Sequence, residues 1–133
     1  MRKLLILTAS PNGLAHLRLA EEVRDIDEGL KRSRHRDDFK IVPQSAVRLR
    51  DLRRAVVEEA PHMVHFSGHG EGDAGLYLED NLGNPTLLTG DQLSGLFSLI
   101  AHKARVECVV LNGCYSIVQA QAIVQHVPYV VGM

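Results

Sequence analysis

Two short segments carry the residues most able to do chemistry. His65-Phe66-Ser67-Gly68-His69-Gly70 closes one apolar run, and Leu111-Asn112-Gly113-Cys114-Tyr115-Ser116 closes another. Each leaves one reactive side chain, the His69 imidazole or the Cys114 thiol, just past a buried strand, where a parallel sheet exposes its loops. A thiol needs a neighbouring base or cation to ionise near neutral pH, and an imidazole that takes that proton can return it to a leaving amine. The pair therefore suits acyl transfer through a cysteine nucleophile, with His69 as base and then acid. Gly68, Gly70 and Gly113 let a substrate backbone come close and let amide N–H groups face the site, and the Gly70 and Cys114 amides are the candidates for holding an oxyanion. Ser116 with Gln119 forms a capping-box pattern, which would start a helix just after the cysteine and turn its positive end toward the sulfur.

The elements that must position these residues alternate between strand and helix. Lys3 to Ala9 is a continuous apolar run of the kind found where both faces of a strand are covered, so it is expected at the centre of the sheet. Leu19, Val23, Ile26 and Leu30 then recur at helical spacing over residues 15–32, with Asp27/Lys31 and Glu28/Arg32 as i,i+4 pairs. Phe39 to Pro43 is a second strand with the polar tail of an edge position. A helix built on Leu49, Leu52 and Val56 follows and stops at Pro61, and Met63 to Phe66 is the third strand. Leu76 to Glu79 and Thr86 to Leu88 read as a small hairpin inserted beside the site. Thr89 with Gln92 caps a helix carrying Leu93, Leu96, Phe97 and Ile100, Val106 to Leu111 is the fourth strand, and Pro128 to Gly132 the fifth. This alternation implies an α/β fold with a mostly parallel sheet, right-handed crossovers and strand order 2-1-3-4-5, similar to flavodoxin. In that order strands three and four are neighbours, about 4.8 Å apart, which puts His69 and Cys114 within side-chain reach.

Composition narrows the class. With 133 residues, 45% hydrophobic content and a net charge of -1, the chain reads as one globular domain, residues 1–133, with no overall pull toward nucleic acid. Arg48, Arg50, Arg53 and Arg54 form a basic run, but the helical spacing of their apolar neighbours leaves them on a solvated face, balanced by Glu58 and Glu59. No apolar stretch approaches the roughly 18 residues of a membrane span, and the start shows no secretory signal, so a cytoplasmic location is expected. Two cysteines are too few for a disulfide framework, and Cys108 inside a valine-rich strand reads as a core thiol. His65, inside a strand, reads as a satisfied buried histidine. No metal site is expected, because no His-x-x-x-His pair has a third ligand nearby, and Asp73, Glu79, Asp80 and Asn81 read as solvated turn residues. A phosphatase loop would need arginine where Ala120 stands, and no phosphate-binding Gly-x-x-x-x-Gly-Lys loop exists.

The two motifs, with the ending Val-Pro-Tyr-Val-Val-Gly-Met and Arg18-Leu19 with Glu21-Glu22-Val23 in the first helix, resemble CHAT domains, caspase-like (clan CD) cysteine peptidases of bacteria. The resemblance covers the whole chain. It implies a caspase-haemoglobinase fold, a three-layer sandwich, that hydrolyses peptide bonds through an acyl-enzyme without a cofactor. The family's dyad histidine falls on His69 and its nucleophile on Cys114. The residue before the nucleophile, often alanine in the family, is Gly113 here. The side chain two before the cysteine, which in related enzymes helps line the pocket for the residue preceding the cleaved bond, is Asn112, so a strong preference for basic residues is not expected. Members of the fold usually continue into further strands and helices, so the chain is expected to be the large-subunit-like portion, truncated at its C-terminal end. The implied partners are a protein or peptide substrate and a regulatory helical-repeat or signalling module, in bacterial signalling, defence or cell death.

Two other readings compete. One is a non-catalytic interaction module that keeps the scaffold and pairs with itself or a partner through an exposed sheet edge. The other is a flavodoxin-like binder of small molecules through the Ser10-Pro11-Asn12-Gly13 loop.

Overall fold

The computed structural model describes residues 2–14, 18–45, 47–71, 74–101, 105–112 and 117–132. Seven strands and four α-helices follow one another as β1 (Arg2–Thr8), α1 (Leu19–Lys31), β2 (Phe39–Gln44), α2 (Leu49–Glu59), β3 (Met63–Ser67), β4 (Leu76–Glu79), β5 (Pro85–Leu88), α3 (Gly90–Ile100), β6 (Cys108–Asn112), α4 (Ile117–Ile123) and β7 (Tyr129–Gly132), with a short 3-10 turn at Arg36–Asp38. Five strands form a parallel sheet ordered β2-β1-β3-β6-β7. Once the hairpin strands are numbered, this is the order expected from the sequence. The hairpin is present as well, β4 and β5 pairing antiparallel as a separate two-stranded sheet.

Burial explains why β1 is central. Leu5, Ile6 and Leu7 are all fully buried, as a strand covered on both faces requires. Successive side chains take opposite faces, and the two faces differ in character. Leu5, Leu7 and Ala9 of β1 and its end, Val64 and Phe66 of β3, and Val109 and Leu111 of β6 join one core cluster. The same cluster takes in Leu52, Ala55 and Val56 of α2, Leu93, Leu96, Phe97 and Ile100 of α3, Ile123 of α4, and Leu76, Leu78 and Leu88 of the hairpin. The alternate positions, Ile6, Thr8, His65, Ser67 and Asn112, turn to the other face, where the right-handed crossover between β1 and β2 places α1. That helix has a clear apolar stripe but no buried residue. Helix α1 therefore rests on a partly polar surface while the other helices enclose the oily one.

Local chemistry sets the element ends. Helix α3 starts with the expected capping box: the Thr89 hydroxyl accepts from the Gln92 amide at 3.2 Å, and the Gln92 side chain accepts from the Thr89 amide at 2.9 Å. Helix α2 is capped at its C-terminal end by Ala60, whose backbone is left-handed with φ 45, directly before Pro61. The Asp27/Lys31 pair of α1 forms at 2.9 Å. Strand β1 begins one residue earlier than expected, and β6 begins at Cys108 rather than at Val106. The Glu107 and Cys108 amides both reach back to the His62 carbonyl, and that is where pairing with β3 starts.

Glycine plays opposite parts at two positions. Gly75, with φ +143, leads into β4, and a Cβ there would lie 2.2 Å from the Leu88 carbonyl oxygen of β5. Gly95 lies within α3 with nothing within 4 Å of the place where a Cβ would stand. Gly75→Ala should destabilise the fold by about 1–3 kcal/mol, whereas Gly95→Ala should stabilise it by about 0.5–1 kcal/mol. Urea unfolding of the two variants beside the wild type reads both signs.

Candidate active site

The register of two strands builds the site. Strands β3 and β6 are parallel neighbours, with Met63 opposite Cys108 and Ser67 opposite Asn112. The pairing continues past the strand ends, since the Gly68 amide donates to the Asn112 carbonyl at 3.2 Å. The His motif and the Cys motif thus run side by side up to Asn112. His69 is two residues beyond Ser67, and Cys114 is two residues beyond Asn112. Gly113, Cys114 and Ser116, the expected helix cap, lie outside the described residues.

Gly68 is held at a close approach. A Cβ there would stand 2.9 Å from the Ala9 carbonyl oxygen and 3.0 Å from the Phe66 ring. The half-buried His69 follows, and the hairpin fixes its backbone. The Tyr77 amide donates to the His69 carbonyl at 3.0 Å, and the Glu71 amide donates to the Gly75 carbonyl at 2.8 Å. These bonds flank the Gly70–Leu76 bridge, so the Gly70 N–H takes no part in that pairing and points away from the hairpin. Of the two glycine amides beside His69, Gly68 is engaged with Asn112, and the one the sequence nominates for an oxyanion, Gly70, is left outside the ladder.

On the α1 face, directly beneath the two motifs, lies a connected polar network. One carboxylate oxygen of Glu22, Oε1, accepts from the Asn112 side-chain amide at 2.6 Å and from the Ser67 hydroxyl at 2.7 Å. His65 Nε2 stands 3.1 Å from the same oxygen and 2.9 Å from the Ser67 hydroxyl. This pattern calls for a proton on Nε2. Burial works to raise the Glu22 pKa, but the hydrogen bonds from Ser67, Asn112 and His65 outweigh it and hold the carboxyl below its ordinary value. His65 is the satisfied strand histidine expected, and Glu22 is what satisfies it. Asn112, nominated to line the substrate pocket, has its side-chain amide turned to Glu22.

Sequence reading passed over Glu22 except as part of the first-helix resemblance. The signal was present nonetheless. Leu19, Glu22, Val23, Ile26 and Leu30 share one stripe at three- and four-residue spacing, and a charged residue on an inward stripe demands buried partners.

Other candidate features are engaged in structure. The Ser10 amide donates to Glu79 Oε2 at 3.0 Å and the Asn12 amide to the Gly83 carbonyl at 2.7 Å, so the loop after β1 is tied to the hairpin. Asp80 caps its own turn, accepting from the Leu82 and Asn84 amides at 2.8 and 2.9 Å. One cavity, of about 730 Å³, opens between the start of α1 and the ends of β1 and β2, bordered by Arg18, Glu21 and Gln44. It does not border His69 or Asn112. Among the described residues no three His, Cys, Asp or Glu side chains gather to hold a metal ion, and no helix is long and apolar enough to cross a membrane.

A parallel sheet with a histidine motif and a cysteine motif leaving adjacent strand ends, and an antiparallel hairpin between them in sequence, defines a caspase-like α/β domain. The chain belongs to the CHAT domain family, whose model matches residues 8–128. It is 26% identical over 135 residues to a protein of an unknown prokaryotic organism named Roc-COR-CHAT protease. That alignment covers 98% of this chain and 13% of the relative, so the chain spans only about one-eighth of that protein's length. The family and the relative's name make this a chain of a caspase-like peptidase family.

The depressed Glu22 pKa has a signed consequence for stability. A carboxyl with a lower pKa folded than unfolded adds stability above its unfolded value, and that stability is lost as pH falls through the folded value. The stability gap between wild type and Glu22→Gln, from urea unfolding, should therefore be wider at pH 7 than at pH 3. Equal gaps at both pH values would show that the charge contributes nothing.

Proposed function

We propose that this chain is a cysteine endopeptidase module in which Cys114 is the nucleophile and His69 the general base and acid. The observation that carries this reading is the in-register pairing of Ser67 with Asn112, which starts the two reactive loops from neighbouring strand ends at the same height. In the proposed reaction His69 takes the Cys114 thiol proton, and the thiolate attacks the peptide carbonyl carbon. The Gly70 and Cys114 amides stabilise the oxyanion. His69 then protonates the leaving amine as the C–N bond breaks, and water, deprotonated by His69, hydrolyses the thioester. Gly113 gives the substrate backbone room, while Asn112, which the resemblance places in the substrate pocket, has its side-chain amide committed to Glu22. No cofactor takes part. The substrate is a protein or peptide, and the relative's name, which joins Roc and COR to CHAT, supports control by an attached or neighbouring signalling module, in bacterial defence or cell death. A reducing cytoplasm suits a free-thiol nucleophile.

Cys108 is an internal reference for the test. Burial pushes its thiol pKa up, which makes it a slow reactant. Cys114 should react with iodoacetamide about tenfold or more faster than Cys108 at pH 7, with an apparent pKa below the free-thiol value of about 8.5. His69→Ala should remove that advantage and lower peptide cleavage by at least about 100-fold. Equal, slow labelling of both cysteines defeats the reading.

A second reading, a non-catalytic module that associates through its sheet edge, draws on β7. This is an outer strand of the sheet, with Tyr129 71% exposed and Val131 50% exposed. On that reading, self-association measured by analytical ultracentrifugation survives Cys114→Ala and is abolished by Val131→Lys.

A further inference from the structure

Glu22 occupies an unusual place among the acids of this chain. It is the one carboxylate, among the described residues, that touches the last residues of both β3 and β6. Ser67 precedes His69 by two residues and Asn112 precedes Cys114 by two. A single oxygen therefore gathers one donor from each motif stem, and His65, on the same face of β3, closes the network from the side. The arrangement is costly to build without purpose. It turns a carboxylate, two side-chain donors and an imidazole to the same face of a sheet, where apolar residues would cover α1 more simply. Charge-assisted hydrogen bonds as short as 2.6 and 2.7 Å are the stronger kind, and they resist sliding or splaying of the strand ends they join.

We propose that Glu22 is a positioning residue that holds the stems of the His69 and Cys114 loops at a fixed offset from beneath the sheet. It touches neither substrate nor reacting atoms. Its place on α1 also means that the helix and the two motifs move together: lifting the first turns of α1 off the sheet withdraws the carboxylate from both stems at once. The proposal relies on the peptidase reading for what the loops do, but not for how their stems are held.

The test pairs a structural readout with a chemical one, in the 133-residue chain. Amide hydrogen exchange should rise at least about tenfold in both segments 67–70 and 112–116 of Glu22→Ala, while the β1–β2 amides keep their protection. In the same variant the pH profile of Cys114 alkylation should shift toward the ordinary thiol value. Glu22→Gln, which keeps an acceptor oxygen, should restore part of both effects. Ser67→Ala removes one donor and leaves a small buried methyl, so it reports on the network if Glu22→Ala does not fold; it should loosen 67–70 more than 112–116. Unchanged exchange in both segments overturns the proposal. So does raised exchange with an unchanged alkylation profile, since that describes a merely stabilising contact. If wild-type Cys114 proves no more reactive than Cys108, the peptidase reading falls, and the exchange pattern alone decides whether Glu22 clamps the two stems.

Discussion

The in-register pairing of β3 with β6 is the constraint on which the relative placement of the two motifs depends. Val64 and Phe66 on one strand and Val109 and Leu111 on the other enter the same core cluster. Side chains alternate with a period of two, so a one-residue slip of either strand would carry its apolar pair out of the core. Burial of those four residues thus also fixes Ser67 opposite Asn112. The height at which each motif leaves the sheet is a by-product of hydrophobic packing several residues below.

The hairpin serves the same end from above. It joins the His69 carbonyl through Tyr77 and the loop after β1 through Ser10 and Asn12, and the Glu79 amide donates to the Val47 carbonyl at 2.9 Å. Leu76, Leu78 and Leu88 anchor it in the main core. The loop bearing His69 is consequently braced by backbone bonds to the hairpin on one side and by its own strand on the other.

Most of this architecture was legible in the residues. Continuous apolar runs marked the central strands, helical spacing marked α1, α2 and α3, Thr89 with Gln92 marked the start of α3, and a run of turn residues marked the hairpin. Element ends were less legible, because they depend on tertiary bonds: β6 starts where the His62 carbonyl captures two amides, and nothing around Val106 announces that. The Glu22 network was hidden for a related reason. Its partners are 43, 45 and 90 residues away in the chain, and Glu21-Glu22 at the start of a helix reads locally as an ordinary response to the helix dipole. Only its position on the apolar stripe pointed inward, and a stripe with one acid in it is easily read as imperfect.

The two faces of the sheet also imply two different ways for this sequence to vary. On the face covered by α2, α3 and α4 the demand is for volume, and apolar residues can exchange for one another with compensating changes nearby. On the face under α1 the demand is for donors and an acceptor in fixed places, and an apolar replacement at position 22, 65, 67 or 112 leaves the other members with an unmet hydrogen bond. Among descendants of this chain those four positions should change together or not at all, so that co-inheritance, rather than conservation of any one of them, is the mark the network leaves on a lineage.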